Sequence, residues 1–468
     1  MPPLSPPDQV RSISLPPRQA VVAAEPDVLV VGGGPAGLGA ALGAAAAGAE
    51  VVLAERYGFL GGNATAALVM PLMSFHTQRG RPAPLSETDL MPHDHGSGEP
   101  VVAGALRTLL ERLVAAGGAL RPSERTGFTL PFDPEVFKQV ALELLDEAGV
   151  RYLLHAFATD VLGHGPDGVV LATKSGPVAI TARAVVDCTG DGDVAALAGA
   201  PYEVGREDDH LVQPMTLVFR MVDFEAAAFA AYVKGHPEQW RGVHGLWDLV
   251  RAATEAGELN LAREDILFFG TPHEREVSIN STRVTGVLGT SVWDLTRAEW
   301  ESRRQMREIV AFLRRHVPGF ERAYAVQSGV NVGVRETRRV IGEYQLTADD
   351  VLSARKFDDV IARGAYPIDI HNPRGRGTTL VRLPPGEAYD IPLRCLLPQR
   401  VDGLIVAGRC ISGTHEAHSS YRVMPIAMAT GQAAGVCAAL AARAGKSLRD
   451  VPVRTVQDEL RRQGADIR

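Results

Sequence analysis

The stretch that decides the fold is residues 27–55, DVLVVGGGPAGLGAALGAAAAGAEVVLAE. It opens on a continuous apolar run, Val28-Leu29-Val30-Val31, as a strand buried on both faces requires. Gly32, Gly34 and Gly37 follow as GxGxxG, leading into an alanine-rich run to Gly48 with helical texture. A second apolar strand spans residues 50–54, and Glu55 stands at its end. Strand, glycine turn, helix, strand and acid in this order form one βαβ unit of dinucleotide-binding type. Gly32 permits the tight turn, Gly34 lets backbone approach a pyrophosphate, and Gly37 lets the helix lie close to the strand. Pro35 and Ala36 open the helix, whose N-terminus offers N–H groups and the positive end of its dipole. Glu55, 18 residues after Gly37, is placed to accept hydrogen bonds from an adenosine ribose and to disfavour a 2′-phosphate.

The residues after Glu55 choose between dinucleotides. Arg56 begins a loop that ends in Gly61-Gly62-Asn63-Ala64-Thr65. A second glycine pair directly after the ribose acid gives amides that continue along a longer cofactor. An NAD site needs no such extension, so FAD is the expected cofactor, held without a covalent link. A second candidate fingerprint, Gly190-x-Gly192-x-x-Ala195, follows a short strand ending at Asp187. No strand with a terminal acid follows at the right distance, which argues against a separate NAD unit.

Composition places the chain among globular proteins. The chain has 468 residues, 46% hydrophobic and 22% charged, which excludes the disordered class. Aromatics are only 6%, while glycine and alanine are heavily used, a balance suited to close backbone packing. The net charge of −7 argues against a sequence-independent nucleic-acid partner. Cys188, Cys395, Cys410 and Cys437 have no metal-ligand spacing, so no metal site and a reduced, cytoplasmic setting are expected. The N-terminus has no apolar signal region, and the small-apolar run 36–49 is too short to span a bilayer.

Residues 1–26 are proline-rich and read as a flexible leader, and residues 77–100 as a polar surface loop or lid. Helical periodicity marks 103–116, 133–148, 299–316 and 427–442, and short strands 151–181. Trp293 and Trp300 read as core residues. The texture of the opening segment returns at the C-terminus, which predicts an α/β fold with a discontinuous domain. Residues 27–75, 130–204 and 395–468 form the FAD-binding part, and 76–129 and 205–394 form an inserted substrate or cap part.

Together with VVDCTGDGDVAALAGAP, VRETRRVIGEYQLTADDV and VAGRCISGTHEAHSSYRVMPIAMATGQAAG, the opening segment resembles the two-dinucleotide-binding-domain flavoproteins. The chain is similar to bacterial FAD-dependent oxidoreductases related to the succinate dehydrogenase/fumarate reductase group. That resemblance implies a FAD/NAD(P)-binding Rossmann-like domain of glutathione-reductase type with an inserted α+β cap. It implies a backbone contact from Val161 to the adenine, and a loop of Thr189, Gly190 and Asp191 beside the adenosine–pyrophosphate. Gly408 and Arg409 take the place of the ribityl-phosphate turn, where relatives often carry an acid after the glycine. The helix entered at Ala427–Gln432 resembles one whose N-terminus faces the flavin.

The resemblance also implies substrate residues. His371 and Arg422 match in order and spacing a histidine and an arginine that hold a substrate carboxylate in that group, and His371 is expected also to move a proton while the flavin takes hydride. His418 and His415 lie beside Arg422, and each also reads as structural. The cluster Arg335-Glu336-Thr337-Arg338-Arg339 reads as a solvated helix face or interdomain ion pairs, or as Arg335 entering the active site. His76 falls near the expected flavin position. The expected activity is hydride transfer between a small organic molecule, such as a carboxylate, and FAD, with a further electron acceptor, in a chain open to homo-oligomer formation. The alternative is a flavin-binding subunit or scaffold that relays electrons to a partner.

Overall fold

The Val28–Val31 strand lies at the centre of a five-stranded parallel sheet. The order is Leu404–Val406, Ala184–Asp187, Val28–Val31, Val51–Ala54, Arg151–Leu153. This computed structural model describes residues 3–7, 12–78, 90–92, 98–163, 165 and 167–467. All four residues of the central strand are buried, as the unbroken apolar run requires. Because Val28–Val31 and the last strand, Leu404–Val406, belong to one sheet, the segments between them reach out and return.

The Pro35–Ala46 helix packs along the Met424–Ala444 helix. A Cβ on Gly431 would lie 2.0 Å from the Ala36 carbonyl oxygen, and one on Gly435 would lie 2.0 Å from that of Ala40. The two helices therefore meet backbone to backbone, and only glycine permits the approach. This contact is where much of the small-residue composition is used. By length and composition Met424–Ala444 could cross a membrane, yet 83% of its most apolar window is buried inside the protein as a core helix.

A second core belongs to a six-stranded antiparallel sheet with both ends in residues 219–328. Its order is Trp240–Arg241, His244–Gly245, Ile266–Gly270, Glu276–Ile279, Phe219–Val222, Tyr324–Ser328. Phe229, Trp240, Phe268 and Phe320 pack there ring against ring. The Val292–His316 helix covers the sheet, with the Ser291 hydroxyl accepting from the Asp294 N–H at its start. Six of the fourteen phenylalanines, Phe219, Phe224, Phe229, Phe268, Phe312 and Phe320, are in this one core.

Several expectations need correction. The leader contains the strand Val21–Ala24, which pairs in parallel with Gly176–Thr181. Residues 101–119, assigned to the cap, contribute to the parallel-sheet core. The buried stripe Leu106, Leu109 and Leu113 of the Ala105–Ala115 helix needs an apolar partner, and the Pro134–Glu147 helix supplies it. Residues 340–394, also assigned to the cap, bury their apolar side chains in that same core. The polar stretch 77–100, expected as a loop or lid, lies largely outside the described residues. Trp300 is 47% exposed and not a core residue.

The second fingerprint does not start a second nucleotide unit. The Asp193–Leu197 helix is only five residues long. The strand after it, Tyr202–Val204, pairs antiparallel with Arg338–Val340.

Candidate active site

A cleft opens at the carboxyl ends of the parallel strands, where doubly wound sheets bind ligands. Gly32, Gly34, Pro35, Ala36, Glu55, Arg56, Gly62, Asn63, Thr189, Gly190, Asp191, Arg409 and Ala427 line it. Gly37, Gly61, Ala64, Thr65 and Gly408 stand behind that surface and shape it. A Cβ on Gly37 would meet the Gly32 carbonyl oxygen at 1.7 Å, so only glycine lets the helix start here. The Thr65 hydroxyl donates to the Leu60 carbonyl at 2.7 Å and pins the glycine pair. The Gly408 N–H donates to the Thr430 hydroxyl at 3.0 Å.

Two expected cofactor residues lie elsewhere. The Val161 N–H is taken by Asp160 Oδ1 at 2.9 Å, and an irregularity between Ala158 and Asp160 shifts the register of that strand. Ala156, Phe157 and Ala158 line the cleft instead. Gln432 Oε1 accepts from the Ala105 N–H at 3.1 Å, and its Nε2 donates to Gln463, on a face turned away from the cleft.

The charges in the cleft are arranged for an extended anion. The Pro35–Ala46 helix begins with no side-chain cap and no acid in its first turn, so its first amides stay open for a pyrophosphate. The Met424–Ala444 helix begins in the same way, and its Met424 and Ala427 line the cleft. Glu55 accepts from the Gly33 N–H at 2.5 Å and the Tyr57 N–H at 2.8 Å. Burial raises its pKa, and the two amides pull it back. A carboxylate with two of its four lone-pair sites taken can still accept from ribose hydroxyls. Arg409 donates to Asp191 Oδ1 at 2.6 Å and to the Thr337 hydroxyl at 3.0 Å. The residues present thus fit FAD: open amides for its phosphates, an acid for its ribose and a long groove for its length.

Next to the cleft lies a cavity of about 460 Å³, and Asn63, Val334, Arg409, Arg422 and Met424 line both. Here the structure brings together His371, Arg422 and Arg335, which come from three separate segments. Arg335 lies in an irregular stretch before the Arg338–Val340 strand, not on a solvated helix face. It donates to the Pro214 carbonyl and the Thr216 hydroxyl, each at 2.7 Å. Burial and the neighbouring Arg422 and Arg283 push its pKa down to about 9. Arg422 donates to the Asp369 carbonyl at 3.2 Å and sits 3.7 Å from its carboxylate, while its Nε is buried without a partner among the described residues. Burial, then Arg335, Arg422, Arg283 and Arg263, lower the His371 pKa far below its ordinary value.

Other residues here carried no sequence signal. Arg283 Nη2 meets His371 Nδ1 at 3.1 Å, and its own pKa is pushed down to about 10, mainly by burial. Arg263, Asp265 and His244 line the far wall from the antiparallel sheet. Asp369 and Tyr366 stood beside His371 in the sequence and were passed over; the Tyr366 hydroxyl donates to Asp369 Oδ2 at 2.8 Å.

His418 does not reach the cavity. It is fully buried, with neither ring nitrogen hydrogen-bonded among the described residues. His415 bonds to Glu336 at 2.8 Å, and Arg339 bonds to the same carboxylate oxygen at 2.6 Å. His76 is tucked against Phe75 and lines neither the cleft nor the cavity. The four cysteines are free and buried, and no cluster of metal-ligating side chains exists among the described residues.

No curated protein matches the sequence significantly. Solved structures with a similar fold include a geranylgeranyl bacteriochlorophyll reductase-like protein from Thermoplasma acidophilum. It is 13% identical, covers 94% of this chain and 83% of its own, and has a TM-score of 0.43. A p-nitrophenol 4-monooxygenase from Pseudomonas putida is 12% identical over 93% of this chain and 88% of its own, with a TM-score of 0.43. A myxobacterial chondrochloren halogenase is 14% identical over 94% of this chain and 79% of its own, with a TM-score of 0.44. Likenesses this distant do not define a reaction. The family model described as "FAD dependent oxidoreductase" matches residues 27–460, nearly the whole chain. The protein belongs to the FAD-dependent oxidoreductase family, and it is an enzyme whose cofactor is FAD.

Proposed function

We propose that this enzyme carries out a two-electron oxidation or reduction of a small carboxylate-bearing molecule held in the 460 Å³ cavity. The observation that carries the reading is the charge around His371. Four guanidiniums, of Arg263, Arg283, Arg335 and Arg422, converge there, against the carboxylates of Asp265 and Asp369. A cavity with excess buried positive charge favours an anion, and planar guanidiniums pair with carboxylates in bidentate fashion. FAD, when bound, supplies the two-electron redox capacity.

The chain's own groups orient and neutralise. Arg422 lines both cleft and cavity, where its guanidinium can pair with a substrate carboxylate. Arg335 adds a second cation that has no acid hydrogen-bonded to it among the described residues. His371 accepts from Arg283 through Nδ1, so its Nε2 carries the proton and donates. The order of His371 before Arg422 is what relates this site to the succinate dehydrogenase/fumarate reductase group.

The test is anaerobic mixing of the FAD-loaded enzyme with panels of carboxylic acids, hydroxy acids, amines and sugars, read at the flavin's visible absorbance. Bleaching by acids, lost in R422A with FAD retained, is expected. Bleaching by amines or sugars alone overturns the carboxylate reading.

A further inference from the structure

His371 is poorly suited to take up a proton. Its Nδ1 is already an acceptor from Arg283, and its Nε2–H faces Asp369 Oδ2 at 3.7 Å. Four guanidiniums oppose any further positive charge on the ring. An oxidation that releases a proton therefore needs another acceptor in the same cavity.

The far wall carries one. His244 lies on the two-residue strand His244–Gly245, paired with Ile266–Gly270. Its Nδ1 meets Asp265 Oδ2 at 2.9 Å. The other oxygen of Asp265 accepts two bonds from Arg263, from Nε at 3.1 Å and from Nη2 at 2.9 Å. Although burial opposes it, hydrogen bonding from His244 and the charge of Arg263 hold Asp265 ionised, with its pKa pushed down to about 2. An ionised carboxylate only accepts, so the neutral imidazole must carry its proton on Nδ1. Nε2 is then a bare lone pair. It has no protein partner among the described residues, and the side chain, 43% exposed, lines the cavity. The Trp247 ring stands edge-on to the imidazole at 5.7 Å, with Arg241 over that indole. Thr378 and Leu267 complete the neighbouring wall. The charged groups facing the dyad are thus Asp265 and Arg263, with Arg283 behind them.

The cavity therefore has two histidines in opposite tautomers: His371 presents a donor, and His244 presents an acceptor. We propose that His244 is the base of the reaction and that Asp265 is its positioning residue. The substrate's O–H, N–H or activated C–H bond breaks heterolytically. Its proton bonds to His244 Nε2 and its electron pair forms the new double bond to the adjacent carbon, while the C–H bond of that carbon breaks and its hydrogen leaves with both electrons to the flavin oxidant. In the reverse direction the same nitrogen, protonated, returns the proton. The assignment rests on the carboxylate redox reading above.

Two measurements on the full-length FAD-loaded enzyme test it. The first is ¹⁵N NMR of the histidine rings, with the His244 signals assigned by their loss in H244Q. The neutral ring is expected as the Nδ1–H tautomer, the minor form of a free imidazole. Finding Nε2–H overturns the dyad. The second is the rate of flavin bleaching by an acid that reduces the wild-type enzyme. H244Q is expected to slow it by about 100- to 10,000-fold and to flatten the acid side of the pH profile, with FAD content unchanged. H371Q is expected to act mainly on substrate affinity and to keep the profile. Bleaching by H244Q within threefold of wild type overturns the assignment alone. A wild-type flavin that no acid bleaches overturns the underlying reading, and this assignment with it.

Discussion

Arg409 Nη2 donates to Asp191 Oδ1 across 2.6 Å, joining the Gly190 turn to the Gly408 turn across the FAD cleft. The pair places a neutralised guanidinium on the wall of the cleft, where we propose that the phosphate-bearing chain of FAD lies. R409A leaves Asp191 without its cation, held only by the Thr337 hydroxyl at 2.9 Å, next to the place proposed for those phosphates. A charge-assisted hydrogen bond contributes about 1.5–3 kcal/mol, so FAD affinity should fall by about 10- to 100-fold. Titration of FAD-stripped protein by fluorescence measures this. D191N in the R409A background should recover part of the loss. R409A that binds FAD within twofold of wild type removes the role.

The buried histidines predict loss of stability in acid. Burial lowers the His418 pKa far below its ordinary value, followed by the effects of Arg339, Arg422, Arg409 and His415. His371 and His76 are lowered too, each mainly by burial. A histidine with a depressed folded pKa binds fewer protons folded than unfolded. Its contribution is therefore fully present above the unfolded value of about 6.5, and is lost as pH falls below it. Each such histidine costs at most about 1.4 kcal/mol per pH unit in that window. Thermal midpoints from pH 8 to pH 5 should decline below pH 6.5, and H418Q should decline less steeply. Parallel curves for the two proteins exclude His418 as a source.

Legibility differed between the two sites for a physical reason. The cofactor cleft is built from backbone, and a backbone site leaves glycines at fixed offsets within one segment. Gly32, Gly34, Gly37, Gly61 and Gly62 therefore announced it. Gln432 was misplaced because helix periodicity fixes a residue's place along the helix, not which face meets the cleft. The substrate cavity is built from side chains that meet only after folding. Arg283 bonds to His371 across 88 positions, and Arg335 to Pro214 across 121, so neither has a local pattern. Residues 101–119 went to the wrong core for a similar reason: an amphipathic stripe shows that a helix has a partner, not which one.

Arg335 predicts a conflict between stability and function. It is a buried cation whose nearest charged influences include Arg422 and Arg283, and its pKa is pushed down to about 9. R335M removes that repulsion and keeps most of the side-chain volume. Replacing buried charge by an apolar group is often neutral or stabilising by about 1–4 kcal/mol. The thermal midpoint should stay level or rise, while KM for a carboxylate substrate rises by roughly tenfold or more. A midpoint that drops by several degrees shows instead that the bonds to Pro214 and Thr216 outweigh the repulsion.

The helix pair under the cofactor predicts the sharpest structural effect. Gly435 faces the Ala40 carbonyl and Gly431 faces that of Ala36, each with a Cβ position only 2.0 Å from the oxygen. A methyl group cannot fit, and both neighbours are helix backbone, so the helices must separate along their length. Gly435 lies one turn farther from the cleft than Gly431, and Ala36 itself lines the cleft. G435A should therefore cost about 1–3 kcal/mol of stability through overpacking, with little change in FAD affinity. G431A should cost a similar amount and also weaken FAD binding, because it displaces the first turn whose amides face the pyrophosphate. Calorimetry with FAD titration separates the two effects. Equal loss of FAD affinity in both variants would show that the helices move as one rigid unit.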